Sequence, residues 1–445
     1  MRISLTLRLY TKYYMIHNDM TLNRTLSPDF KTIKNVPIPP IQNLILANGT
    51  PLHVVNVGEQ PVVRLEISFE AGAWYDTEQG TSLFTSKMLN EGTSKHSSNY
   101  ISEFFDQYGS FVEFGHGLDR ANFTLYGLTK HLGALLPLIK EILTDSVFPE
   151  KELETLKKIQ EQSLKVNQEK TAYVAGQELR KNIFGESHPY ANKLTQASIS
   201  NISREGVLNF YESFWKGKKY RIFLSGQVGD TEIALIESFF GQDKLEAVPQ
   251  KLVSAPAPNY GQAPIFIEKE GALQTSVRMG KVLMQRANPD YFKMLVVNEI
   301  FGGYFGSRLM KNIREDKGYT YGISSNLVSS THGGYFILGT DTKREFTEQT
   351  IQEIHHELVR LQTEPVGNEE LQVVKNYMIG SFAGSLTTPF EISDRYKVIL
   401  SENLPLDYYN NYVERINSVS TTDILEMASK YLSIDSMTTV LVGGK

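Results

Sequence analysis

The two residues in this sequence best suited to act together on a carbonyl group are Arg314 and Tyr321, both in the stretch GGYFGSRLMKNIREDKGYTY at 302–321. Arginine offers a permanent charge and a planar fork of donors. Tyrosine offers a hydroxyl on a rigid ring. Together they can grip a peptide carbonyl and stabilise the oxyanion that forms when water attacks it. Losing one such donor typically costs about 10²–10³ in rate. The surrounding residues place the pair. Gly302-Gly303 leads into a helix carrying Arg308 and Arg314. Lys317-Gly318 then ends that helix, with a cation beside the last carbonyls and a glycine free to take positive φ. A strand should follow in YTYGISSNL, with Tyr319, Tyr321 and Ile323 on one face. An arginine near a helix end and a tyrosine at a strand start also occur for purely structural reasons, so spacing alone leaves both roles open.

No other chemistry-bearing residues form a comparable pattern. His355 and His356 in EIHHEL are adjacent, so on a helix they point about 100° apart and cannot chelate together. An exposed polar helix face is the expectation there. His116 and His188 stand alone. There are no cysteines, which excludes disulfides and thiolate metal sites. Gly302, Gly303 and Gly306 do not spell the phosphate-cradling GxGxxG loop.

The elements that carry these residues read as one unit written twice. Val63, Leu65, Ile67 and Phe69 alternate with Arg64, Glu66, Ser68 and Glu70, the period-two pattern of a half-buried strand. Val277, Met279, Lys281 and Leu283 occupy the corresponding strand later. The first unit closes on RIFLSGQV and the second on TTVLVGGK. Leu65 and Met279 are 214 residues apart, Gly226 and Gly443 217. Two landmarks at opposite ends of a unit thus share nearly one offset, which points to an internal duplication. Asn48-Gly49 reads as a hairpin turn between LILA and PLHVV. Helical patterns cover 99–108, 131–146, 150–183, 203–215, 289–300, 306–317, 346–362, 367–384 and 421–431. This order of strands and helices predicts an α+β fold of two duplicated α/β-sandwich domains, each an antiparallel-rich sheet covered by helices. The expected domains are 31–245 and 265–445. A proline-bearing linker, 246–264, joins them, and residues 1–30 read as a disordered extension rather than a targeting peptide.

Composition sets the outer bounds. A chain of 445 residues is too long for one core. Apolar residues make up 41% and charged residues 21%, as in an ordinary soluble protein, and the formal charge of −5 gives no electrostatic case for nucleic acid or an anionic membrane. No apolar run approaches the roughly 20 residues of a membrane helix. A cytoplasmic location is expected, with the periplasm as the alternative.

The order glycine pair, SRL, Arg314, Gly318, Tyr321 resembles the C-terminal signature of the pitrilysin-type peptidases, the inverted zincins. In that family an arginine and a tyrosine at this spacing hold the substrate across a clamshell from a zinc bound by HxxEH. The frame of the zinc helix also matches here, in GTSLFTSKMLNEGT at 80–93. Its chemistry does not. Positions i, i+3 and i+4 share one helix face, and here they are Leu83, Ser86 and Lys87. Leucine cannot ligate, serine is a poor general base, and a protonated lysine repels the cation. Glu154 and Glu161, in the region of the family's last ligand, read as a solvated acidic face. The resemblance further implies that Val112, Glu113, Phe114 and Gly115 form an exposed edge strand that pairs with extended peptide. Glu113 and His116 stand where the family usually has asparagine and a small hydroxyl residue, so an ordinary edge strand is an equal reading.

The resemblance therefore implies a subunit that is inactive alone and binds no cofactor of its own. It would lend Arg314 and Tyr321 to a homologous HxxEH partner that carries zinc, as a heterodimer or a self-dimer, acting on unfolded peptides. Two alternatives remain: a non-catalytic scaffold like the core subunits of respiratory complexes, and a peptide-binding chain that does not cut.

Overall fold

The turn at Asn48-Gly49 joins β1 (Gln42–Ile45) to β2 (Pro51–Asn56) as an antiparallel pair. Gly49 takes φ of 85°, and its N–H donates to Leu46 O at 2.8 Å. With β3 (Val62–Phe69), β4 (Phe111–His116), β5 (Ala121–Leu128) and β6 (Tyr220–Gly226) these strands form a six-stranded sheet in the order β1-β2-β6-β3-β5-β4. A second sheet holds β7 (Ile265–Glu268), β8 (Gln274–Leu283), β9 (Thr320–Ser330), β10 (Gly333–Lys343) and β11 (Thr438–Gly443), in the order β7-β11-β8-β10-β9. Apart from β1 the two orders correspond strand for strand, and in each only the pair β2–β6 or β7–β11 is parallel. The fold is α+β with two antiparallel-rich sheets. This computed structural model describes residues 25, 32–251, 253 and 263–444. The extension at 1–30 and the middle of the 246–264 linker therefore lie largely outside the described residues. Asn35–Lys445 forms one compact unit.

Two expectations about elements are corrected. The helical pattern at 150–183 is two helices, Glu150–Gln168 and Thr171–Phe184, separated where Lys170 is extended. Lys269, from the second half, donates to Gln168 O at 2.6 Å and pairs with Glu169 at 3.0 Å, so it satisfies the carbonyl end of the first helix. The second helix is then free to run over β8 and β11 of the other sheet, with Ser276 Oγ donating to Thr171 Oγ1 at 2.8 Å. The other correction concerns β3. Its polar face was expected to meet solvent, yet Arg64, Glu66 and Ser68 are as buried as its apolar face. Helix Pro389–Ser401 of the second half covers it: Arg64 grips Asp394 at 2.9 Å, and Lys397 reaches both Glu66 oxygens at 2.9 Å. Each half thus lays one helix on the other half's sheet.

Two apolar cores result. One fills the first half and extends through helix Thr171–Phe184 to Val440 and Val442 of β11. The other fills the second half and takes in Val55 of β2 with Ile392, Tyr396 and Ile399 of the covering helix. The tip of the β9–β10 hairpin adds a polar tie to the first half. His332 stacks on Trp74 at 3.9 Å and donates its backbone N–H to Tyr190 Oη at 3.0 Å, while Thr331 N–H donates to Asp119 at 2.9 Å. His188, which stands alone in the sequence, is buried in the same aromatic cluster.

Candidate functional site

Gly318 at φ of 66° ends the helix as the sequence predicts, and Tyr319 N–H closes onto Ile313 O at 3.0 Å. The strand that follows does not alternate as expected. In the β9–β10 register Ile323 faces Thr340 and Thr320 faces Thr342, so Tyr321 and Gly322 together oppose Asp341 alone. This is a β-bulge, a device that re-aims a side chain. Thr320 Oγ1 donates to Asp341 O at 2.8 Å, Gly322 N–H donates to Thr320 Oγ1 at 3.1 Å, and Thr340 Oγ1 donates to Gly322 O at 2.9 Å. Tyr321 and Ile323 therefore do not share a face. Ile323 is in the core, while Tyr321 is 91% exposed on an edge strand.

The helix bearing Arg314 is wound wide in π-type turns over Met310–Asp316, and so is the end of the helix before it, over Glu299–Gly303, with Tyr304 extended between the two. Such turns are frequent at functional sites. The glycine pair permits the close approach this winding needs: a Cβ on Gly302 would meet Ser325 N of β9 at 2.9 Å, and one on Gly303 would meet Glu299 Oε2 at 2.5 Å. Arg308 is consumed structurally, holding Glu370 through two bonds at 2.8 and 2.9 Å. Arg314 is not. Its guanidinium lies 4.6 Å from the centroid of the Phe305 ring, and among the described residues that ring, not a carboxylate, is its recorded partner. Cation–π contact holds the planar group without neutralising it. Phe305 went unremarked in the sequence, although its place in GGYFG, nine residues before Arg314, was visible. No recorded hydrogen bond, ion pair or ring contact among the described residues joins Arg314 or Tyr321 to each other or to the first half.

In that first half, β4 is the edge strand of its sheet, with Val112 and Phe114 turned toward the core and Glu113 and Gly115 outward. Helix Thr81–Met88 packs nearby. Leu83 is half-buried, Ser86 is buried with its hydroxyl donating to Ser82 O at 2.9 Å, and Lys87 is exposed. Ser82 Oγ meets His116 Nε2 at 2.8 Å. Burial, and then the Lys87 charge, lowers the pKa of His116 to about 4. A lone neutral imidazole beside an ammonium, a leucine and a committed serine is no donor set for zinc. Glu154 is exposed and pairs with Lys157 at 2.8 Å, and Glu161 is half-buried two turns on. His356 is exposed and His355 half-buried, so the expected exposed face holds for only one of them. Among the described residues no three or more His, Cys, Asp or Glu side chains gather as metal ligands. No described helix is long and apolar enough to cross a membrane.

Comparison with known proteins gives a consistent picture. A family profile described as insulinase, peptidase family M16, matches residues 54–197, and one described as the peptidase M16 inactive domain matches 201–378. An uncharacterized zinc protease, YmxG, of Bacillus subtilis is 22% identical over 383 residues, covering 85% of this chain and 93% of the relative. The non-peptidase homolog YmxG of Helicobacter pylori is 23% identical over 401 residues, covering 86% and 90%. The solved peptidase M16 inactive domain from Pseudomonas fluorescens superposes with a TM-score of 0.81 at 25% identity, covering 91% of this chain and 98% of that one.

Proposed function

This chain belongs to peptidase family M16, and we propose that it is a non-zinc subunit that binds peptide and lends Arg314 and Tyr321 to a shared site completed by a homologous HxxEH partner. The observation that carries this reading is the bulge that turns Tyr321 outward on an edge strand, with Arg314 held on Phe305 and not bound to a carboxylate. A fold kept only as a scaffold gains nothing from an unpaired arginine and an exposed tyrosine on either side of a helix ending.

In this reading the Arg314 guanidinium and the Tyr321 hydroxyl donate to the substrate carbonyl and to the oxyanion it becomes. The partner's metal would supply the activated water. The outer edge of β4, from Val112 to Gly115, offers backbone groups for pairing with extended peptide, which recognises length and not sequence. Helix Thr81–Met88 contributes no ligand. Purified alone, the chain should hold no stoichiometric zinc and cleave no peptide. Mixed with an HxxEH-bearing homologue, it should yield peptidase activity that neither chain shows alone. A tightly bound zinc equivalent in the isolated chain would overturn the reading of Leu83, Ser86 and Lys87.

The Helicobacter pylori relative, described as a non-peptidase homolog, favours a second reading in which the fold binds peptide or supports an assembly without catalysis. That reading gains if the mixture binds peptide but does not cut it.

A further inference from the structure

At one end of the first sheet lies a cavity of about 330 Å³, lined among the described residues by Ser68 and Glu70 of the β3 segment, Arg120, Lys219 and Arg221. The sheet register explains how these groups converge. Ser68 is paired directly with Arg221 of β6 on one side and with Asn122 of β5 on the other, so their side chains form one row on one face. Glu70 and Arg120 lie two residues further along that face. Three cations thus meet one carboxylate.

The carboxylate does not satisfy them. Glu70 is half-exposed, 3.4 Å from Arg120 Nη2, and also accepts a long 3.5 Å bond from Tyr75 Oη. Arg221 Nη1 donates to Leu400 O at 2.6 Å, and among the described residues it makes no ion pair, Glu70 acting on it only from a distance. Burial, then repulsion from Arg120, lowers its pKa. Among the described residues two buried donors along this row, Ser68 Oγ and Arg120 Nε, also have no partner, nor has the acceptor Asn122 Oδ1. Ser68 is only 2% exposed. Buried polar atoms left unpaired cost on the order of 1–3 kcal/mol each, so several together call for a partner, and the two donors suit an anion.

We infer that this cavity binds a small oxyanion, a carboxylate or a phosphate, held by Arg120 and Arg221 with Ser68 and Lys219 as further donors. The Arg120 and Arg221 guanidiniums suit such an ion because each presents a planar fork to two oxygens. The volume sits at the small end of ligand pockets, enough for a phosphate group or the last residue of a peptide. The inference does not depend on the peptidase reading: none of these residues belongs to the Arg314–Tyr321 site.

The test is calorimetric titration of the full chain at constant ionic strength. Three probes are used: inorganic phosphate, a short peptide with a free C-terminus, and the same peptide amidated. Saturable binding of phosphate, or of the free but not the amidated peptide, supports the site and tells the two sources apart. Arg120→Gln and Arg221→Gln should each weaken it about tenfold or more, the loss of one charge-assisted hydrogen bond. If either variant misfolds, Lys219→Gln at the surface and Ser68→Ala, which removes only the unpartnered hydroxyl, should still weaken binding. Absence of saturable heat with every probe, or binding unchanged in all the folded variants, would overturn the inference.

Discussion

Tyr321 faces solvent because two threonines hold a bulge beneath it, and the bulge needs hydroxyls at both positions. Thr320→Val keeps shape and removes the bonds to Asp341 and Gly322. In an assay reconstituted with a partner it should lower kcat by about tenfold or more, with a modest fall in melting temperature from the lost bonds and the fold retained. Unchanged kcat would mean the bulge does not aim the tyrosine. The helix ending at Gly318 between Arg314 and Tyr321 was legible from residue type and spacing. The bulge was not, because it exists only in the pairing with β10, twenty residues later, and simple alternation put Tyr321 and Ile323 on one face. Glu299, beneath the glycine pair, makes a separate prediction. Burial raises its pKa, and Oε2 is buried without a partner. A carboxyl with a raised folded-state pKa is most favourable below the ordinary glutamate range and loses that contribution as pH rises through its folded value. Glu299→Gln should therefore melt higher than the parent at pH 8, with the difference shrinking toward pH 4. A difference independent of pH would contradict that assignment.

At the scale of elements, the helix Pro389–Ser401 and the polar face of β3 define each other. Glu66 is nearly fully buried and takes its cation from Lys397. Lys397→Ala leaves that buried carboxylate without its direct ion-pair partner, with only the Arg64 charge nearby, and should cost about 3 kcal/mol in urea unfolding. The double variant Glu66→Gln with Lys397→Met should recover most of the loss. No recovery would show that the helix is held by its apolar side alone. The period-two pattern of β3 announced a strand correctly, yet Arg64, Glu66 and Ser68 could not reveal their cover, since Asp394 and Lys397 lie some 330 positions away. The covering helix itself was missed, although Thr388, Pro389 and Glu391 spell a helix start in the sequence and form a capping box in the fold. His116, between β4 and helix Thr81–Met88, supplies the element-scale pH test. Its pKa falls from the ordinary 6.5 to about 4, so its contribution is full above 6.5 and is lost as pH falls through about 4. His116→Asn should flatten the stability profile across that window, and an unaltered profile would show that the imidazole titrates normally.

At the scale of the whole molecule, two sheets with matching strand orders exchange helices, so neither half is complete without the other. The duplication was readable as two nearly equal offsets between distant landmarks. The exchange was not, because a helix's own sequence does not name the sheet it will cover. Each sheet has one antiparallel edge strand at its β4 or β9 end, and β9 carries Tyr321. In the proposed function one molecule pairs peptide along β4 and presents Arg314 and Tyr321, while its own helix Thr81–Met88 carries no histidine or carboxylate to ligate a metal. In that function this chain lends those two side chains to a site it shares. The most direct test is to reconstitute the chain with an HxxEH-bearing homologue and compare the parent with Arg314→Ala and Tyr321→Phe. With a shared site, each variant should assemble normally while kcat falls about 10²–10³. Normal assembly with kcat unchanged in both variants would contradict it.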